Sequence, residues 1–372
     1  MHTPERLEAD IITANAHAEW AALHGSERTS VWPRLIVKDH TESTNDDAMA
    51  LLSSGELGGP DMPDATGTLI VTLDQRSGKG RLGRAWEAPA GSGLAMTLVI
   101  QAPSSVPTES LAMASTLVGL VWRDVLAAST ASDVSLKWPN DVLMDGEKVA
   151  GILAQVAPSS PGPRGAAASA DGSKTGIDKT GLADKTGSAD KTGVANKAGI
   201  ADKTGVADKT GVKNGIDKTG TATGEPAKAT RAGGLNLVVG IGTNLTQTKD
   251  ELPVPTATSL ALHNCTTDVH RLISAFWTRA LAVLSEWLPA GGPLDQPLGS
   301  LGCTSLIDAT RKHCATIGVD VRVHLPQDVE ITGVARDVDE YGYLIVEDSA
   351  GKRHQISAGD VIHVRRSDGH YA

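Results

Sequence analysis

The sequence predicts an α+β fold in which a mixed β-sheet is backed by helices and followed by a small β-barrel. Three features of the chain point there. Apolar, β-branched runs such as "TLIVTLDQ", "GLAMTLVIQA" and "LNLVVGIGTNL" have strand length. Two longer stretches, "PTESLAMASTLVGLVWRDVLAAS" and "TTDVHRLISAFWTRALAVLSEWL", carry their apolar residues on one helical face. From about Gly318 the apolar period changes to two, and turn residues recur every few positions, as in a compact all-β module.

Taken in order, residues 1–34 read as an N-terminal lead without two clear amphipathic helices. "STNDDAMALLSSG" follows as a short helix, with Ser43 or Thr44 as N-cap, acids in its first turn and Gly55 as its stop. Strands are expected on either side of the glycine-rich stretch at 74–86. The first long helix turns one face of Leu111, Ala114, Val118, Val121, Trp122 and Val125 inward. "VSLKWPNDVLM" is a strand running into a turn, because Pro139 lacks a ladder donor and Asn140-Asp141 favours turns. The second long helix presents Leu272, Phe276, Leu284 and Trp287. Five short strands then fit between Gly318 and the C-terminus, with Asp339 to Gly342 as a hairpin candidate.

Composition changes abruptly between Pro158 and about Gly234: aromatic residues vanish and Ala, Gly, Lys, Thr and Asp dominate. Within this block, "LADKTG SADKTG VANKAG IADKTG VADKTG" repeats every six residues from Leu182 to Gly211. A hexapeptide β-helix has that period. Yet one aliphatic residue per hexad, missing at Ser188, buries too little to offset the ordering entropy, so disorder is the expectation. The flanking runs "EKVAGILAQV" and "LNLVVGIGTNL" both read as strands, so the block interrupts a domain as an oversized connection between neighbours.

The chain has 372 residues, a formal net charge of -10 and 40% hydrophobic residues, enough for two or three domains. No stretch approaches the roughly 18 to 20 apolar residues of a membrane span, and "MHTPERLEAD" lacks the order of a signal peptide, so a cytoplasmic location is expected. The acidic balance argues against general affinity for nucleic acid. Cys265, Cys303 and Cys314 have no CxxC spacing and read as reduced thiols rather than a disulfide framework or zinc site. His263, His270 and His313 lie near two of them without metal-ligand spacing and read as surface or capping residues.

Against that acidic background, "DQRSGKGRLGRAW" at 74–86 sets Arg76, Lys79, Arg81 and Arg84 among Gly78, Gly80 and Gly83. Glycines let main-chain N–H groups converge on one concavity and the cations add charge, so the loop suits an anion. It is not a Rossmann fingerprint, since no helix follows directly, and it lacks the GK[ST] ending of a P-loop.

The remaining motifs occur in order with this loop: "STN" at 43–45, "KWPND" at 137–141, "EKVAGIL" at 147–153 and "GIGTN" at 240–244. Together they resemble the biotin protein ligases, which share an STN element, a GRGRxGR-type loop followed by Trp, KWPND, a K-x-A-G-I-L strand and a GxGxN strand. The resemblance covers about 35–157 and 233–368. It implies a class II synthetase-like catalytic domain over 35–315, interrupted by the insert at 158–233, and an SH3-like domain over 316–372.

The resemblance also implies the chemistry: biotin and ATP give biotinyl-5'-AMP and pyrophosphate, and the biotinyl group passes to a lysine. The acceptor is a biotin carboxyl carrier domain of acetyl-CoA carboxylase or a related acyl-CoA carboxylase. Such a reaction needs no side-chain nucleophile; positioning, cations and Mg²⁺ supply the catalysis.

By the same resemblance, Ser43, Thr44, Asn45 and Gln75 surround the ureido ring, Lys148 meets the biotin carboxylate, and Gly151 and Leu153 wall the apolar chain. Lys79, Gly80 and Arg81 contact biotin from the loop, Gly78, Lys79, Arg81 and Arg84 bind ATP, with Arg84 also supporting the loop, and Trp86 can stack on adenine. Lys137 meets the phosphates and Asn140 is a second ATP-binding residue beside it, while Asn244 is an adenine or phosphate contact or a turn residue. Lys137, Lys148 and Arg81 are the candidate catalytic groups. Asp141 is a candidate Mg²⁺ ligand and equally a turn-stabilising residue. Lys79 stands where the family usually has Arg, which removes a planar fork, and Leu82 where many members carry a polar residue. No residue stands out as general base for the transfer step. A biotin-sensing repressor is disfavoured, since the lead has no helix-turn-helix and no DNA partner is expected; lipoate attachment is the other alternative.

Overall fold

The computed structural model describes residues 6–24, 32–59, 64–157, 234–302, 304–325, 329–357 and 360–363. The expectations for the repeat block and for Cys303 fall outside these. In chain order the structure runs α1 (Ala9–His24), β1 (Leu35–Val37), α2 (Thr44–Ser54), β2 (Leu69–Thr72), β3 (Gly78–Lys79), β4 (Ala85–Trp86) and β5 (Gly93–Ala102). Then come α3 (Thr108–Ala112), α4 (Ala114–Ala127), β6 (Val134–Lys137), β7 (Asp141–Met144), β8 (Glu147–Ala157), β9 (Leu235–Asn244) and α5 (Val269–Trp287). The last are β10 (Pro297–Leu298), β11 (Thr304–Ser305), α6 (Leu306–His313), β12 (Asp320–Leu325), β13 (Val329–Val338), β14 (Leu344–Glu347), β15 (Arg353–Ile356) and β16 (Asp360–His363).

The main sheet has the order β1-β2-β5-β9-β8-β7-β6, with β1 and β2 parallel and the other pairs antiparallel. β8 and β9, the runs on either side of the insert, are neighbours in register from Ala150↔Thr243 to Ala157↔Asn236. Their central residues are apolar in both alternating sets because both faces of the sheet are covered. Leu69, Val71, Met96, Leu98, Val239 and Ile241 pack toward the core shared with α1, α4 and α5. Ile70, Val99 and Val238, each one residue out of step, pack with Ala48 and Leu52 of α2. A helix of eleven residues covers only part of that second face, and the uncovered remainder holds the candidate site.

α2 begins where expected. Ser43 is its N-cap, accepting from Asp46 N at 3.3 Å, and Gly55 closes it with φ 78° and an N–H donated to Leu52 O. Burial in α5 extends well beyond the single stripe, from Leu272, Ile273 and Phe276 to Trp277 and Trp287, because the helix is sandwiched between α4 and α1.

The N-terminal lead does more than the sequence suggested. α1 buries Ile12, Ala16 and Trp20, a stripe too narrow and too small to stand out as amphipathic. Ser274 Oγ donates to Ile12 O at 2.9 Å and His270 Nε2 accepts from Glu8 N at 3.0 Å, so α5 seats the helix. Trp20, Trp32 and Trp277 form an edge-on aromatic chain with ring centroids 5.7 and 5.5 Å apart. Buried His270 is therefore a packing residue, not a surface one.

The five C-terminal strands form an antiparallel sheet of order β15-β14-β13-β12-β16 around Val321, Val323, Ala335, Leu344, Val346 and Ile356. Asp339 to Gly342 makes the β13–β14 turn, with Gly342 at φ 82°. The junction between the main sheet and the C-terminal sheet is stitched rather than hinged. Ala315 N donates to Leu136 O at 2.8 Å, Trp138 N donates to Thr316 Oγ1 at 3.0 Å, and the Trp138 indole N–H reaches Gly342 O at 3.1 Å. Trp138 belongs to the core of the C-terminal sheet although it lies in the KWPND segment of the main one; the Trp138–Pro139 bond is cis. No helix among the described residues is long and apolar enough to cross a membrane.

Because Trp20 is 8% exposed and joins α1 to α5, Trp20→Ala is expected to lower unfolding stability by about 3 kcal/mol in a denaturant titration.

Candidate active site

The uncovered part of the sheet face is floored by residues that alternate inward on β8 and β9. Gly151 and Gly242 are paired across the two strands, and Gly240 pairs with Leu153. These glycines have a packing reason. A Cβ on Gly242 would come within 2.5 Å of the Trp86 indole, and one on Gly240 would run into the Asn45 amide. Trp86, on β4 at the end of the basic loop, thus lies across bare backbone, and Lys148 Nζ stands 5.4 Å from its ring centroid, within cation–π range.

Above this floor is a cavity of about 830 Å³. Ser43, Thr44, Asn45, Gln75, Lys79, Gly80, Arg81, Arg84, Trp86, Lys137, Asn140, Asp141, Lys148, Gly151, Leu153 and Asn244 all line it. Sequence positions two hundred residues apart therefore converge as expected, with one exception. Gly78 is not part of the lining; it pairs with Trp86 across β3 and β4, where a Cβ would strike Trp86 O and the Gln75 amide.

One end of the cavity is built on the N-terminus of α2. Thr44 N and Oγ1 both donate to Gln75 Oε1, at 3.0 and 3.2 Å. Asn45 Nδ2 donates to Gln155 Oε1 at 2.8 Å and Leu153 O at 3.2 Å, while its Oδ1 accepts from Thr97 Oγ1 at 2.7 Å. Thr97 and Gln155, which hold Asn45 in place, were missed because single polar residues in apolar strands carry no motif.

At the centre, Lys148 Nζ and Asp141 Oδ1 form an ion pair at 2.7 Å, both side chains mostly covered. They come from the neighbouring strands β7 and β8, where Asp141 pairs with Gly151 and Lys148 with Leu143, and Thr256 O and Thr258 N bond the main chain of Lys148 at 2.8 Å each. On the loop, Arg81 Nη1 donates to Asn140 Oδ1 at 3.3 Å, and Asn140 Nδ2 donates to Ile152 O at 2.8 Å. Lys79 Nζ meets Asp46 Oδ2 at 2.6 Å on the first turn of α2, an exposed pair of at most about 1 kcal/mol. Leu82, at the loop tip, is exposed and adopts φ 56°.

Asn244 lines the cavity and is 4% exposed, with its amide engaged internally, donating to Thr258 O at 2.9 Å and accepting from Gln247 Nε2 at 3.2 Å. Its evident job is to order the segment after β9. That segment, with Pro253, Val254, Thr256 and Ala257, forms a wall that sequence reasoning missed, since "PVPTAT" has no regular period. Ile362 and His363 of β16 also reach the cavity.

His263 is likewise not a surface residue. Its Nδ1 lies 3.0 Å from Asp145 Oδ2, and its Nε2 2.8 Å from Thr258 Oγ1, tying the β7–β8 turn to that wall. Hydrogen bonds from Ser132, the Asp133 N–H and His263 hold the Asp145 carboxyl below its usual range. Burial pushes the His313 imidazole down. It also pushes the Cys265 and Cys314 thiols up, and both are free, in keeping with inert thiols. No cluster of three metal-ligating side chains occurs among the described residues.

Five cations line the cavity (Lys79, Arg81, Arg84, Lys137 and Lys148) against two acids, Glu87 and Asp141. In a chain of net charge -10, that excess creates a local field for an anion larger than a single carboxylate. Asn45→Ala is expected to cost about 2 kcal/mol, read as a fall in stability on chemical denaturation, because the amide's hydrogen bonds to Thr97, Gln155 and Leu153 O are lost together.

Comparison with known proteins agrees with this architecture. Residues 61–165 match the Biotin/lipoate A/B protein ligase family, and 316–364 match the Biotin protein ligase C terminal domain. A biotin–[acetyl-CoA-carboxylase] ligase of Mycobacterium tuberculosis is 28% identical over 90% of this chain and 91% of its own length. One from Paracoccus denitrificans is 37% identical over 33% of this chain and 47% of its own. Among solved structures, the Aquifex aeolicus biotin protein ligase in complex with biotin and ATP superposes with a TM-score of 0.55 at 18% identity, covering 90% of this chain and all of that one. With two family models matched in order and a relative aligned over nearly its whole length, the chain is similar to the biotin protein ligases across both the main sheet and the C-terminal sheet.

Proposed function

We propose that this chain activates biotin with ATP and transfers the biotinyl group to a lysine of a biotin carboxyl carrier domain. The observation that carries the reading is the placement of Lys148 beside Asp141, above paired glycines and below a loop of cations. A flat apolar floor suits a fused ring and its alkyl chain, an ammonium at its end suits a carboxylate, and the surrounding cations suit a triphosphate.

In the first step a carboxylate oxygen of biotin attacks the α-phosphorus and the bond to the pyrophosphate oxygen breaks. Lys148 exchanges Asp141 for the substrate carboxylate, which aims the nucleophile. Arg81 and Lys137 neutralise charge on the phosphates, and the cavity walls keep water from the mixed anhydride. Thr44, Asn45 and Gln75 orient the ureido ring through the hydrogen-bonded end of α2. One carboxylate facing a phosphate site fits Mg²⁺, which takes one or two protein carboxylates plus phosphate oxygens; Asp141 would hold it, and the ion would add further positive charge there. In the second step a neutral lysine amine attacks the acyl carbon and AMP leaves. The carrier belongs to an acyl-CoA carboxylase, as the name of the Mycobacterium tuberculosis relative suggests.

Lipoate attachment is the competing activity, and ATP–pyrophosphate exchange separates the two: biotin is expected to support exchange and lipoate to leave it at background. Exchange with lipoate alone would overturn the reading. Lys148→Ala is expected to lower exchange by at least about 10²-fold while the melting temperature stays near that of the parent.

A further inference from the structure

His363 is the last described residue of β16, in the C-terminal sheet, yet it lines the reaction cavity. Its Nε2 lies 3.0 Å from Thr316 Oγ1, inside a buried group. Thr316 Oγ1 already accepts the Trp138 N–H at 3.0 Å, so the hydroxyl has its own hydrogen left to give. Imidazole nitrogen is a better acceptor for it than the Cys314 sulfur nearby. A neutral imidazole that accepts at Nε2 carries its proton on Nδ1. That nitrogen has no partner among the described residues, and it is not among the buried orphan atoms. The residue itself lines the cavity, so this nitrogen is the ring's donor for a ligand there.

The ring is also held neutral. Burial and the positive charge of Lys137, which is close enough to act on it, push the His363 pKa down to about 4. Lys137 is bracketed by Leu136 and Trp138, the residues bonded to Ala315 and Thr316. His363 and Lys137 thus approach the same end of the cavity, one from each domain.

We propose that His363 is a nucleotide-binding residue, its Nδ1–H donating a hydrogen bond to the phosphate chain that Lys137 meets. The inference rests on the reading of the cavity as an ATP site. The C-terminal domain then supplies an uncharged donor at a place already rich in cations, which adds phosphate binding without adding repulsion against Lys137. Thr316 fixes which nitrogen carries the proton, and through Trp138 the same hydroxyl holds the backbone next to Lys137.

The test compares two amide substitutions in the full chain, because Asn places its NH₂ near the Nδ1 position and Gln places its NH₂ near Nε2. Biotin-dependent ATP–pyrophosphate exchange is measured for the parent, His363→Gln and His363→Asn, with melting temperatures alongside. His363→Gln is expected to raise the KM for ATP about tenfold with the KM for biotin unchanged, and His363→Asn to recover most of that loss. An unchanged ATP KM in His363→Gln, equal ATP KM values in the two variants, or a parallel rise of both KM values with a lowered melting temperature would overturn the inference while the ligase reading stands. Absence of biotin-dependent exchange in the parent would overturn the ligase reading and the inference with it.

Discussion

The site depends on a strip of β-sheet without side chains. Gly151 and Gly242 face each other across β8 and β9, and Gly240 sits one step further along the same face. Side chains on the opposite face are large and packed under α4 and α5, so the strip is rigid even though it is bare. Its smoothness lets Trp86 lie against backbone and lets the Asn45 amide reach into the sheet. Any residue larger than glycine at 240 or 242 would lift one of these groups and close the floor on which a ring system can rest.

Around that floor, charge is arranged as a set of exchangeable partners. Lys148 is paired with Asp141, Lys79 with Asp46 and Arg81 with Asn140. Under the proposed function, an anion entering the cavity would replace these contacts instead of meeting bare cations. The exposed Lys79–Asp46 pair costs little to give up, whereas the Lys148–Asp141 pair is more covered and, under the proposed function, is the one exchanged for the substrate carboxylate. Lys79 in place of a planar guanidinium suits this behaviour, since an ammonium on a flexible stem reorients among single acceptors. The C-terminal sheet has a comparable share in the site. Trp138 lies in its core while Lys137 lines the cavity, so the end of β6 is set by both domains at once.

How much of this was legible in the sequence follows from how far each interaction reaches. The cap at Ser43, the stop at Gly55, the five C-terminal strands and the pairing of the two runs around the insert rest on short patterns, and all are present. The cavity lining was also readable, Gly78 apart, because the motifs at 43–45, 79–86, 137–141 and 148–153 keep their order and spacing. α1 escaped because three residues at spacing four, one of them Ala16, make a weak stripe, and only α5 shows what they pack against.

The sequence alone determined the alternation that gives the sheet two covered faces, the glycines that leave one stretch of it bare, and the cations above. Those are local facts of side-chain size, period and charge. Only the tertiary structure decided that Asn244 turns its amide inward, that Thr97 and Gln155 anchor Asn45, that Trp138 joins the second core and that His363 arrives at the cavity from the far end of the chain. Apart from Asn244, whose partners lie 3 and 14 residues away, these are contacts between residues distant in sequence, formed by whichever polar or apolar partner the packed sheets bring within reach.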